Sequence, residues 1–135
     1  MAEFLLKDIV RKRGIANEFE IASAATSREE IGNPVHHGTK HKLAQLGISV
    51  AGKTARQVTT RDYRYYDLLL VMDNNNIRNM RRLLGDDVDD KVHLLLDYTH
   101  RKGQSIADPW YTGDFDVTYD DIMEGLAGLL QHLGY

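Results

Sequence analysis

The 135-residue sequence contains no cysteine. That excludes disulfides, thiolate metal sites and a cysteine nucleophile among these residues. No run of about 18 apolar residues occurs, so no segment reads as a membrane-spanning helix. The first residues lack the basic region, apolar core and small-residue cleavage site of a secretory signal. Charge of neither sign dominates: 17 Lys and Arg are interspersed with 20 Asp and Glu, for a net charge of −3. That gives no electrostatic case for nucleic acid. Internal repeats, low-complexity tracts and domain linkers are also missing. The remainder is 42% hydrophobic and 27% charged. This suits one globular domain over residues 1–135, expected in a cytoplasmic setting.

Apolar spacing predicts a helix over residues 2–12, stopped by Gly14. FEIASAA (Phe19 to Ala25) reads as a short buried strand, and Gly38 to Leu46 as a helix ended by Gly47. DLLLVM (Asp67 to Met72) is a continuous apolar run, the pattern of a parallel strand buried on both faces. Asp73 or Asn74 is placed to cap a following helix through Leu84. Asp86 to Asp90 forms an acidic turn, KVHLLLDY (Lys91 to Tyr98) a second buried strand, and residues 99–117 a long loop before a last helix over 118–133. Strands alternating with helices predict an α/β fold with a parallel sheet.

Gly47 to Thr54 (GISVAGKT) fits the phosphate-loop pattern G-x-x-x-x-G-K-[ST], and Asp73 at the end of LLLVMD resembles a magnesium-binding strand end. That chemistry needs a strand before the loop and a helix after it. KLAQL before Gly47 reads instead as a helix end, and ARQVTT after Thr54 opens a helix poorly. His37 and His41 are four apart and could share one helix face, but a metal site needs a third ligand and no HExxH pattern is present, so His36, His37 and His41 read as surface histidines. Arg78, Arg81 and Arg82 read as a solvated helix face. Asp86, Asp87, Asp89 and Asp90 do not fit a calcium loop. Gly125 and Gly128 in the last helix suit close packing against the sheet, since each costs about 1 kcal/mol of helix propensity.

DPWYTGDF (Asp108 to Phe115) is the stretch with chemical content. Pro109 pushes Asp108 into an extended conformation. Its side chain is then expected to project from the loop instead of capping a helix. Trp110 and Tyr111 offer flat faces for an aromatic group and are expected to shield the carboxyl from water, which raises a carboxyl pKa. A carboxylic acid so placed protonates a leaving oxygen. The alternative is an ordinary turn with its aromatics tucked into the core.

Over essentially its whole length the sequence resembles the low-molecular-weight protein tyrosine phosphatases. Four stretches carry the match: SAATS (Ser23 to Ser27) with IGNP, ARQ followed by a Thr-x-x-Asp helix start (Ala55 to Asp62), DLLLVMD with Asn75 and Asn76, and DPWYTGDF followed by TYDDI. The resemblance implies a three-layer parallel-sheet phosphatase fold and hydrolysis of phosphotyrosine monoesters without a cofactor. In the family a thiolate of a C-x5-R-S loop attacks phosphorus. An aspartate, here Asp108, protonates the phenolic oxygen and later deprotonates the hydrolytic water. Trp110 and Tyr111 correspond to the aromatic pair beside the substrate ring, and Ser23 to a serine supporting the phosphate loop. Glu29 falls where many members place an aromatic on the opposite wall. The implied partner is a phosphotyrosine-containing protein or aryl phosphate, with no nucleic acid and no membrane.

In the family the phosphate loop is followed by S-P-M-A-E and the first helix, whereas this sequence starts at Met1-Ala2-Glu3. The first strand and the C-x5-R-S loop, ~20 residues, are therefore expected upstream of it, so that the 135 residues alone are inactive. A sheet lacking its first strand leaves edges exposed, which predicts a homodimer, an exchange of elements or a rearranged N-terminal half. Two other readings remain open at the level of sequence: a non-catalytic remnant that binds phosphotyrosine or another aromatic ligand, and the phosphate-loop nucleotide-binding protein. An arsenate reductase of related fold also needs cysteines.

Overall fold

The computed structural model describes residues 1–135. They form two compact units, Met1–Gln57 and Val58–Tyr135.

In the first unit α1 (Ala2–Lys12) buries Leu5, Leu6 and Val10, which recur at helical spacing. Gly14 follows with φ 71°, a conformation glycine adopts without strain. α2 (His37–Gln45) buries Leu43 and is followed by Gly47 with φ 74°. The strand expected over residues 19–25 does not form. This stretch makes one isolated parallel bridge, Ala25 to Gln57, in which the Ala25 N–H donates to the Arg56 carbonyl at 2.7 Å. Ala22, Ser23 and Ala24 are exposed. One bridge supplies no ladder, and the apolar run is too thinly covered to act as a buried strand.

The second unit begins with α3 (Thr60–Tyr65). Thr59 and Asp62 form a reciprocal capping box at its start, which satisfies two otherwise unpaired N–H groups. β1 (Leu69–Val71) runs parallel to β2 (Val92–Leu94), with Leu69 opposite Val92 and Val71 opposite Leu94. Between them lies α4 (Asn74–Leu84), capped by Asp73 and Asn76 in the same reciprocal way. This is a parallel β–α–β crossover, as an α/β fold requires. Leu69, Val71, Met80 and Leu94 form its core with Val58. The acidic turn launches β2: the Asp87 carboxylate accepts from the Tyr63 hydroxyl at 2.6 Å and from the N–H groups of Lys91 and Val92.

β2 stops earlier than its apolar run suggests. Leu95–Tyr98 is a 3-10 turn, with Leu95 and Leu96 fully buried. A buried strand and a buried helical turn share the same apolar signature over four residues, so periodicity does not separate them. The long loop is likewise shorter than expected. It contains a one-turn helix, α5 (Pro109–Thr112), and α6 (Phe115–His132) opens three residues early because Asp114 caps it. No helix is long and apolar enough to cross a membrane.

α6 packs on the Leu95–Tyr98 turn through its glycines, not on the strand itself. A Cβ on Gly128 would lie 2.2 Å from the Tyr98 carbonyl oxygen, and one on Gly125 would lie 2.6 Å from Leu95 Cγ. Gly128 therefore meets fixed backbone, whereas Gly125 meets a side chain that can rotate. Gly128→Ala should lower the unfolding free energy by about 2 kcal/mol, because the overlap outweighs the roughly 1 kcal/mol of helix propensity that alanine adds. Gly125→Ala should cost less. Urea unfolding followed by circular dichroism checks the order, and a stabilised Gly128→Ala would show that the helix does not approach the turn this closely.

Candidate active site

Four tethers bring the chain to Asp108. Thr99 Oγ1 donates to the Leu96 carbonyl at 2.7 Å. Arg101 Nη1 reaches Asp121 Oδ1 at 2.7 Å and Glu124 Oε1 at 3.1 Å on α6. The Ile106 N–H donates to the carbonyl of Met72, just past β1, at 2.8 Å, and Ile106 is fully buried. Thr118 Oγ1 donates to the Ala107 carbonyl at 3.0 Å. The next residue is Asp108, in the extended region with φ −74° and ψ 118°, as the following proline dictates.

The expectation that Asp108 does not cap a helix is corrected. Pro109 sits at the first helical position, where its missing N–H costs nothing. Asp108 Oδ1 accepts from the Trp110 N–H at 2.9 Å, making Asp108 the cap of α5. Gly113, with φ 73°, closes that turn. The cap orients the carboxylate through one oxygen, Oδ1.

The expected shielding of the carboxyl is also corrected. Asp108 is exposed, Trp110 is 58% exposed and Tyr111 85% exposed. The rings are not tucked into the core either. They present instead two apolar faces beside an accessible acid.

In the first unit Ser23 has a definite partner. Its Oγ donates to Glu3 Oε1 at 2.6 Å, and its carbonyl accepts from Lys53 Nζ at 3.2 Å. Glu3 is buried and also accepts from Lys53 Nζ at 2.8 Å and Lys7 Nζ at 2.6 Å. Burial alone would push this carboxyl up. The hydrogen bonds from Lys53, Lys7 and Ser23 outweigh it and hold the carboxyl at about 2. Sequence reasoning missed Glu3 as an organising residue. The available signal was its place on the stripe of Leu6 and Val10, three and seven residues on, where a carboxylate needs partners. Glu29 lies in an exposed turn. Asp108, Trp110 and Tyr111 thus fall together in one unit, while Ser23 and Glu29 fall in the other.

The phosphate-loop pattern has no phosphate-loop geometry. Gly47 terminates α2, Thr54 bridges to Pro34, and the next helix opens only at Thr60. Lys53 is held by Glu3 and Ser23. His36 caps α2 by accepting from the Gly38 N–H at 3.2 Å, and His41 meets Gln45. Arg78 pairs with Asn75 and Arg81 with Asp86, on the exposed face of α4.

A capped, exposed aspartate thus stands beside two aromatic residues on the loop that follows a β–α–β crossover. The sequence profile of the low molecular weight phosphotyrosine protein phosphatases matches residues 1–135, and the chain belongs to that family. It is 35% identical over 131 residues to the Bacillus subtilis low molecular weight protein-tyrosine-phosphatase YfkJ, covering 96% of this chain and 84% of that protein. It is 33% identical to the Gallus gallus low molecular weight phosphotyrosine protein phosphatase, covering 97% and 85%. The crystal structure of YfkJ superposes with a TM-score of 0.91 at 33% identity, covering 99% of this chain and 87% of that one. The structure of DARP, a Drosophila arginine phosphatase, superposes with a TM-score of 0.86 at 27% identity, covering 99% and 88%.

The Glu3 carboxylate makes the first unit sensitive to acid. Its folded-state value of about 2 lies below the ordinary 4.5, so its contribution is complete above the ordinary value and is lost as pH falls through about 2. Glu3→Gln should destabilise the fold at pH 7 by on the order of 3 kcal/mol. The difference from the native chain should shrink toward pH 2. Unfolding measured across that range checks this, and a gap that does not depend on pH would contradict it.

Proposed function

We propose that this chain provides the general acid and aromatic wall of a phosphotyrosine phosphatase, with both units belonging to one domain over residues 1–135. The carrying observation is the Asp108 carboxyl, exposed and aimed by the Trp110 N–H through a single oxygen. In the proposed reaction a thiolate attacks phosphorus and the P–O bond to the phenol breaks. Asp108 delivers its proton to the departing oxygen, since a phenol with pKa about 10 leaves poorly as an anion. Water then attacks the cysteinyl phosphate, Asp108 takes its proton, and the thiolate and phosphate are released. Trp110 and Tyr111 flank the ring of the substrate. Glu29 is a proposed substrate-binding residue of the first unit, where Ser23 with Glu3 supports the anion-binding loop.

The thiolate of the proposed reaction is not among these 135 residues, which contain no cysteine. The proposed substrate is a phosphotyrosine-containing protein or aryl phosphate, in a cytoplasmic setting. The two-stranded sheet is also the proposed surface for a homodimer, and a monomer by light scattering would remove that part of the proposal.

The 135-residue chain alone should not turn over an aryl phosphate. A longer polypeptide carrying the strand and C-x5-R-S loop should do so, and Asp108→Asn in it should lower kcat by about 10²–10⁴-fold. An unchanged kcat would remove Asp108 from the role. Faster turnover of phosphoarginine than of phosphotyrosine would overturn the substrate class.

A further inference from the structure

Thr118 is the one buried polar residue of the second unit, at 4% exposure. A threonine within a helix ordinarily turns its hydroxyl to the carbonyl four residues back. Here the Asp114 carbonyl takes only the Thr118 N–H, at 3.4 Å. The Thr118 hydroxyl instead leaves its own helix and donates to the Ala107 carbonyl, 11 residues back, at 3.0 Å. That carbonyl belongs to the peptide group whose N–H is that of Asp108.

We propose that Thr118 is the positioning residue for the acid-bearing loop: its buried hydroxyl fixes the Ala107–Asp108 peptide plane and thereby the direction of the Asp108 side chain. This rests on the reading of Asp108 as general acid. The two flanks of Asp108 are fixed by different means. The peptide before it is held by Thr118, and the residue after it is a proline with a locked φ. The carboxylate is held in turn by the Trp110 N–H. A peptide plane without its tether rotates, and a carboxyl displaced by about 1 Å loses much of its value to catalysis. Arg101 secures the start of the loop, six and seven residues away from this plane, so it does not replace Thr118.

Trp110 is the sole tryptophan, so the 135-residue chain carries its own reporter two residues from the acid. Thr118→Val keeps the shape of the side chain and removes the donor. It should lower the fluorescence anisotropy of Trp110 and raise its quenching by acrylamide. Exchange of the Trp110 amide should quicken by about two- to tenfold, the equivalent of one net hydrogen bond. Thr118→Ser, which keeps the hydroxyl, should retain the native values. Native behaviour of Trp110 in Thr118→Val, or equal loss in both variants, would overturn the proposal. Should Thr118→Val not fold by circular dichroism, exchange in the native protein decides: protected Trp110 and Gly113 amides, kept in Thr118→Ser, support it, and unprotected ones overturn it. In the longer thiol-bearing polypeptide, Thr118→Val should lower kcat and leave KM unchanged. If Asp108→Asn has no effect there while Trp110 still loosens in Thr118→Val, the acid assignment fails and the tether stands.

Discussion

The second unit depends on how closely α6 approaches the backbone of the turn after β2. The approach puts the Gly128 Cα against the Tyr98 carbonyl, a contact open only to glycine. Once α6 is seated there, its outer turns carry Asp121 and Glu124 to Arg101 and its first turn carries Thr118 to Ala107. The stretch between Tyr98 and Asp108 is therefore bounded by contacts to one rigid helix and by the backbone bond from Ile106 to Met72. A loop so tied gives the Asp108 side chain a fixed address, which is what its proposed role as a positioned acid requires. Helix propensity is given up at two positions of α6 in exchange for that geometry.

The first unit is organised by a different kind of constraint. A buried carboxylate is tolerable only when its lone pairs are filled by donors. Glu3 is filled by two lysines and a serine drawn from three separate stretches of chain. Ser23 is therefore fixed by what Glu3 needs as much as by its own backbone. The same demand holds the lysine of the apparent phosphate loop against Glu3 and the Ser23 carbonyl.

Much of this was legible in the residues. Gly14 and Gly47 end helices where their positions suggest, and Asp73 caps α4 because an acceptor before an amphipathic run satisfies free N–H groups. DPWYTGDF announced an extended aspartate followed by aromatics, and the structure keeps both. Its finer geometry was not legible. Whether an aspartate before proline projects or caps depends on whether the next residues make a helical turn, and four residues carry too little periodicity to show that. The exposure of Trp110 and Tyr111 depends on what lies around the loop, not on the loop sequence. The strand over residues 19–25 failed for a related reason: apolar content shows that a segment seeks cover, not that a ladder partner exists for it.

Asp108 as the source of the leaving-group proton is the central claim. Its most direct test is the dependence of rate on the acidity of the phenol, measured with a series of aryl phosphates on a thiol-bearing polypeptide that contains this chain. A donated proton makes the departing oxygen nearly indifferent to the pKa of its phenol. With Asp108 present the rate should change little across the series, and with Asp108→Asn it should fall steeply as the phenol becomes less acidic. Equal slopes in the two proteins would contradict the account.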